Sequence, residues 1–216
     1  MAFPYEVPDP QGLQEAANVL REEFAWVGTV LNTYLPPVKP NALVCCVPIG
    51  NGIELLHVRD FVGPKSKIYG VDIEKKVEYG GIPNINQIAI VASGSYFIKG
   101  DIRNLNQVMR QMPRTPDVVI SRHPQIIEEI EEETGRILKQ NDWWLNPLVA
   151  LANRVKERGG TFLATCYLMP ERDLLAEVLT KRGLRPEVFE NDFSPREYWA
   201  QAGPLIKKPD GFVLRV

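Results

Sequence analysis

The sequence predicts an α/β protein built on a doubly wound, mostly parallel sheet. Three observations carry that expectation. An apolar run, Ala42 to Val47, is short, Val/Cys-rich and bounded by Pro48, as a strand buried on both faces should be. A glycine turn follows, Gly50-Asn51-Gly52, and then a helical pattern with Ile53, Leu56, Val58 and Phe61-Val62 that stops at Gly63-Pro64. A second strand, Lys67 to Ile73, carries Asp72 near its end. Strand, glycine turn, helix, strand and acid in this order make a nucleotide-binding half of a doubly wound sheet. Glycines admit backbone close to a ligand, the helix start offers unpaired N–H groups, and the acid can accept from ribose hydroxyls. A tight turn and a strand-end acid that caps the next helix are the bland alternatives for the same residues.

The 216 residues suit one sizeable domain, and a hydrophobic content of 44% supports a full core. The net charge of −2 offers no global basic field, so nucleic acid is not expected as a partner and a small-molecule substrate is. No apolar run approaches the roughly 20 residues that span a bilayer. The start, MAFPYEVPDP, lacks the basic opening and apolar core of a secretory signal, so a cytoplasmic location is expected and no membrane. Cys45 and Cys46 are adjacent in a strand and so face opposite ways, as small buried hydrophobes of a reducing compartment. The only histidines are His57 and His123, and no metal-ligand spacing occurs, so no metal is expected.

Residues 1–41 read as an N-terminal arm and helix, a candidate lid, and residues 42–216 as the sheet domain. Met1 to Pro10 is Pro-rich and extended. Gln11 to Leu35 is helical, with Leu13, Ala17, Leu20, Phe24, Val27, Leu31 and Leu35 at three- and four-residue steps and a break near Gly28. Pro36-Pro37 ends it. After Asp72 a loop leads to a helix from about Ile85. Ser95 to Lys99 is the third strand, Asn104 to Gln111 a short helix, and Asp117 to Ser121 the fourth strand. Ile126 to Gln140 is expected as a charged helix, its run Glu128 to Glu133 forming a solvated face. Trp143 to Arg158 is a further helix, capped by Asn141 or Asp142 and ended by Gly159-Gly160. Thr161 to Thr165 is the fifth strand, and Pro170 to Lys181 a helix opened by its proline. Pro186 to Glu190 and Gly211 to Val216 are the last two strands. The polar segment between them, with a short helix around Pro195 to Gln201, is too irregular for a right-handed crossover, so the last strand is expected antiparallel.

Taken together, residues 42–216 resemble the class I S-adenosylmethionine-dependent methyltransferase family. The resemblance rests on Val44-Cys45-Cys46-Val47-Pro48-Ile49-Gly50-Asn51-Gly52 as the glycine-loop motif, Gly70-Val71-Asp72-Ile73 as the ribose-acid strand, and Lys99-Gly100-Asp101-Ile102 as the adenine strand. It implies a seven-stranded sheet in the order 3-2-1-4-5-7-6 and S-adenosylmethionine as cofactor. Pro48, Gly50, Asn51 and Gly52 would then border the methionine part, and Asp72 the ribose. Asp101 would accept from the adenine amino group, with Ile73 and Ile102 against the ring and Ser121 at the end of the fourth strand. Two departures stand out. The motif's opening acid and first glycine are Cys46 and Pro48 here, and Ser121-Arg122-His123-Pro124 replaces the Asn-Pro-Pro-aromatic signature of amino-methylating members.

His123, at the end of the fourth strand, is the candidate catalytic base, because its ordinary pKa suits proton removal near neutrality. A histidine bonded to loop backbone is the alternative. Arg122 could hold a substrate anion bidentately, or pair with Glu128, Glu129 or Glu131. Trp143, Trp144, Tyr167, Tyr198 and Trp199 could supply one or two walls of an aromatic pocket, the others serving the core. Two other functions stay open. One is a non-catalytic binding domain with a degenerate glycine loop, favoured by Cys46 and Pro48. The other is a nicotinamide-dependent enzyme, against which Leu55 stands where a third glycine would be.

Overall fold

The computed structural model describes residues 25, 27–73, 84–131, 134, 136–166, 168–190 and 212–216. Strand β1 (Leu43–Cys46) leads into helix α2 (Ile53–Val62), β2 (Lys67–Asp72), α3 (Ile85–Ser93) and β3 (Tyr96–Lys99). A 3₁₀ turn (Ile102–Asn104) then runs into α4 (Leu105–Arg110), followed by β4 (Val118–Arg122), β5 (Ile127–Ile130), β6 (Ile137–Gln140) and α5 (Asp142–Lys156). β7 (Thr161–Cys166), α6 (Met169–Lys181), β8 (Glu187–Glu190) and β9 (Phe212–Arg215) complete the order. Helical residues 27–34, here α1, precede β1.

Seven strands form one sheet in the order β3-β2-β1-β4-β7-β9-β8, and β5 pairs with β6 outside it. Numbered within the sheet alone, this is the expected 3-2-1-4-5-7-6. β1 lies parallel between β2 and β4, with Cys46 opposite Gly70 on one side and Ile120 on the other. β9 runs antiparallel to both β7 and β8, as the irregular approach to it suggested.

The period of two along β1 divides the core. Val44 and Cys46 face a cluster built with Val27, Val30 and Leu31 of α1 and Leu55 and Val58 of α2. Leu43, Cys45 and Val47 face the other cluster, filled by α4, α5 and α6. Both cysteines are buried, as their opposite orientations require, and burial pushes the Cys45 thiol up to about 12 and the Cys46 thiol well above its ordinary range. Asp117 fastens the start of β4 to β1: its carboxylate accepts from the Leu43 N–H at 2.7 Å, and its own N–H donates to the Leu43 carbonyl at 2.7 Å. Arg114 holds that carboxylate at 2.7 and 2.5 Å, and this hydrogen bonding is the main cause that keeps its pKa below the usual range.

Two expectations need correcting. Ile126 to Gln140 is not a helix; it contains the antiparallel hairpin β5–β6. A helix would set Glu128, Glu129, Glu131, Glu132 and Glu133 against one another at three- and four-residue steps, where like charges repel. In the hairpin, Lys139 pairs with Glu128 and Arg136 with Glu131, and Ile127, Ile130 and Ile137 occupy extended backbone that suits β-branched side chains. Nor does Gly28 break its helix. It lies inside α1, and a Cβ there would meet the His57 ring at 2.5 Å. Glycine lets α1 close onto α2, and a cavity of about 220 Å³ lined by Gly28, Leu31, Asn32, His57, Asp60 and Phe61 borders that contact. The arm Met1 to Pro10, the helical stretch as far as Phe24, the loop after Ile73 and the short helix around Pro195 to Gln201 lie outside the described residues. Among the described residues no helix is long and apolar enough to cross a membrane.

Candidate functional site

The carboxyl ends of β1, β2 and β4 meet at one edge of the sheet, where open α/β sheets take their ligands. At the end of β1 the chain turns sharply. The Gly52 N–H donates to the Ile49 carbonyl at 2.6 Å, and the Asn51 side chain accepts from the Ile53 N–H at 3.2 Å, which starts α2. Gly50 and Gly52 take φ of +47° and +77°, left-handed values that glycine adopts at least cost. Their surroundings differ. A Cβ on Gly50 would meet nothing within 4 Å, whereas one on Gly52 would stand 3.1 Å from the Ala89 Cβ of α3. Gly50 therefore borders open space and Gly52 serves helix packing.

Asp72 reaches this turn from β2. Its Oδ2 accepts from the Gly50 N–H at 3.0 Å across 22 residues of sequence, and the side chain is buried. Ile73, next in the chain, is 47% exposed at the same edge. Pro48 is half-buried, one residue before Ile49, whose N–H bonds the Val71 carbonyl at 3.3 Å. The fold thus brings together Pro48, Gly50, Asn51, Asp72 and Ile73.

Asp101 has a different setting. Its Oδ1 accepts from the Arg103 N–H at 2.9 Å and its Oδ2 from the Arg103 Nε at 2.5 Å, with the guanidinium closing an ion pair. That side-chain hydrogen bonding is the main cause that lowers the Asp101 pKa. The Arg103 guanidinium lies 5.1 Å from the ring centre of Trp143, itself 66% exposed at the start of α5. Ile102 is buried in the core with Leu105 and Val108 rather than at the surface of the edge.

The end of β4 carries the remaining candidates. Ser121 is fully buried and its Oγ has no hydrogen-bond partner. Beyond half-buried Arg122, His123 and Gln125 adopt φ of +51° and +49°, a left-handed conformation that costs a non-glycine residue and is held by its surroundings. The His123 N–H donates to the Thr165 carbonyl at 3.0 Å. Asn141 supports the same segment, its N–H donating to the Ile126 carbonyl at 2.7 Å and its Nδ2 to the Gln125 carbonyl at 3.1 Å, while its Oδ1 is buried without a partner. Sequence reasoning missed Arg103 and buried Glu54, and read Asn141 only as a candidate helix cap, whereas its side chain bonds the Gln125 carbonyl instead; a D-x-R spacing was the available signal for Arg103. Tyr167, Tyr198 and Trp199 lie outside the described residues, and half-buried Trp144 packs against the core. Among the described residues no group of three metal-ligating side chains occurs.

No protein-family model matches the chain. No curated protein is significantly similar to it. Solved structures are. A cyclopropane-fatty-acyl-phospholipid synthase-like protein from Lactobacillus casei superposes with a TM-score of 0.56 at 12% identity, covering 81% of this chain and 73% of that one. Aeropyrum pernix fibrillarin, in complex with natively bound S-adenosyl-L-methionine, gives 0.55 at 17% identity over 92% and 75%. The Haloferax volcanii complex of the Trm112 methyltransferase activator with a putative methyltransferase gives 0.55 at 17% over 97% of both chains. The chain has the class I methyltransferase fold. With that fold, β1, α2 and β2 stand as its glycine-loop unit and β4 as the strand beside it.

Proposed function

We propose that the protein is an S-adenosylmethionine-dependent methyltransferase acting on a small-molecule acceptor. The observation that carries this reading is the junction of Asp72 with Gly50 beside open space at the carboxyl edge of the sheet. A Cβ-free, left-handed Gly50 suits close approach of the methionine part, with Pro48, Asn51 and Gly52 shaping the turn. Asp72 is the ribose acceptor, exposed Ile73 lies against the adenine, and buried Ile102 backs that wall. Asp101 addresses the adenine amino group while Arg103 orients it. The orphaned Ser121 hydroxyl, fully buried at the edge, fits a hydrogen bond to the bound cofactor.

Bound S-adenosylmethionine supplies an electrophilic methyl group on a sulfonium. The chain's own work is placement and exclusion of water, so that an acceptor lone pair stands in line with that methyl. His123 takes the proton of an acceptor that is protonated at neutral pH, and Arg122 anchors an acceptor anion. The net charge of −2 favours a small acceptor over a polyanion. A second reading, a binding domain without chemistry, draws support from Cys46, Pro48 and the capture of Asp101 by Arg103. Thermal shift with S-adenosylmethionine, S-adenosylhomocysteine, NAD and NADP tests the proposal. Stabilisation by the first two alone supports it, and stabilisation by a nicotinamide nucleotide, or by none, would sink it. Methyl release from labelled cofactor then separates the enzyme from the binding domain.

A further inference from the structure

Charge is missing from one end of the sheet. In a sequence that is 24% charged, Tyr79 to Ile98 contains no Asp, Glu, Lys or Arg. The described part of this stretch builds α3 and all of β3 but its last residue. β3 is the first strand of the sheet and among the described residues pairs with β2 alone. The Gly100 N–H donates to the Asp72 carbonyl at 2.9 Å, so the alternate residues Ile98 and Tyr96 also turn their backbone toward β2. Phe97 and Lys99 therefore direct their N–H and C=O groups outward, a margin of the kind that pairs with another strand. Apolar side chains flank this margin on both faces. On one, Ile90 and Phe97 pack in the cluster beneath α3, while Ile88 and Val91 of that helix are 56% and 79% exposed. On the other, Tyr96 is 52% exposed and stacks on Tyr69 with ring centres 5.0 Å apart.

Sheet edges are ordinarily guarded by charge or by a covering element, and the only charge on β3 is Lys99. Arg59 of α2 reaches the end of α3, where it is bonded to the Ser93 and Gly94 carbonyls. Ile88, Val91 and Tyr96 together leave on the order of 400 Å² in water, about half of the ~800 Å² per partner that a stable interface buries. Strand backbone and flanking polar residues supply the remainder, as in the more apolar interfaces of homodimers. The absence of charge selects the occupant. Contact between identical surfaces sets each charge against its own copy, and on β3 only Lys99 would be doubled. Antiparallel pairing about Ile98 removes that conflict, because each Lys99 then stands opposite Phe97 of the other copy. In this register the outward residues exchange four N–H···O=C bonds. We infer that this margin is the contact of a two-fold homodimer, in which two β3 strands pair antiparallel and the two α3 helices meet across the axis. The contact leaves the carboxyl edge of the sheet open, so it is independent of what the site binds.

Sedimentation velocity of the full chain over a range of concentrations tests this. The wild type should run as a reversible dimer of twice 24.4 kDa. Val91→Glu, which sets a carboxylate into the apolar contact from an exposed position, should weaken dimerisation on the order of 100-fold. Its Tm should stay within about 2 °C of the Tm of wild-type protein under conditions where both are monomeric. Ile88→Lys, a turn earlier on α3, should act in the same way. Val188→Glu, on β8 at the other margin of the sheet, should leave the dimer intact. Hydrogen exchange should find the Phe97 and Lys99 amides protected in the wild type and fast in the Val91→Glu protein. A wild type that stays monomeric at every concentration, or a dimer that survives either α3 substitution, overturns the inference. So does a dimer broken by Val188→Glu, or one in which both amides exchange freely.

Discussion

Gly28→Ala should destabilise the protein although alanine is the better helix former. Gly28 sits inside α1 without a left-handed φ, so the backbone admits a side chain. In an unencumbered helix the exchange gains about 1 kcal/mol. Here the new Cβ would stand 2.5 Å from His57 Cε1 and 2.7 Å from Nδ1, well inside contact distance. Overpacking of this kind costs ~1–3 kcal/mol, so the net loss is about 1 kcal/mol. For a chain of this size that lowers Tm by roughly 2–4 °C. The same substitution in a His57→Ala background has no ring to meet and should raise Tm by about as much, a coupling of about 2 kcal/mol. Chemical denaturation and calorimetry of the four proteins measure it. A Gly28→Ala protein more stable than wild type, or the same sign in both backgrounds, would refute the packing of α1 on α2.

Asp72→Ala should weaken S-adenosylmethionine binding about 5- to 150-fold, the loss of ~1–3 kcal/mol for a buried hydrogen-bonding partner, and calorimetry showing unchanged affinity in a folded variant would reject the assignment. Alkaline pH should erode stability: the Cys45 thiol is held up to about 12 in the fold and ionises near about 9 when unfolded, so the unfolded chain binds fewer protons between these values. Urea denaturation at pH 8 and pH 10 should differ by roughly 2–3 kcal/mol, because the raised Cys46 thiol adds its own share, and Cys45→Val should about halve the difference. Removing residues 1–40 uncovers the cluster of Val44, Cys46 and Ile120 that Val27, Val30 and Leu31 close; unfolded or insoluble protein is expected, and a cooperatively folded product by circular dichroism would contradict it.

The features legible in the sequence were those set by local chemistry. The glycine turn, the start of α3 at Ile85 and the antiparallel β9 each follow from a glycine, a periodicity or an irregular approach that acts within a few residues. The hairpin was hidden because apolar residues at 126, 127, 130 and 137 suit a helical period as well as a strand, and only the mutual repulsion of the glutamates separates the two. The place of Asp72 beside the glycine turn was legible because its position at a strand end fixes it. The capture of Asp101 by Arg103 depends on a side-chain rotamer, and the burial of Glu54 on which way α2 rolls against the sheet; neither leaves a mark in spacing. The resemblance sets Ile102 against the adenine ring, whereas the 3₁₀ turn points it into the core.

β8 joins the sheet through β9 alone, and β9 lies between β8 and β7. Residues 187–190 therefore have no strand to pair with until residues 212–215 have been made, although they leave the ribosome first. This edge of the sheet can close only after the end of the chain is available. Until then Leu163 and Phe162 of β7 present a bare hydrogen-bonding margin, and the Tyr34 and Arg215 contacts that tie α1 to β8 and β9 are unmade. Such late, long-range closure slows folding and leaves an exposed strand edge open to association with other chains. Substitutions in β9 should accordingly appear first as slow maturation and lost yield, before any change in the site at the opposite half of the sheet.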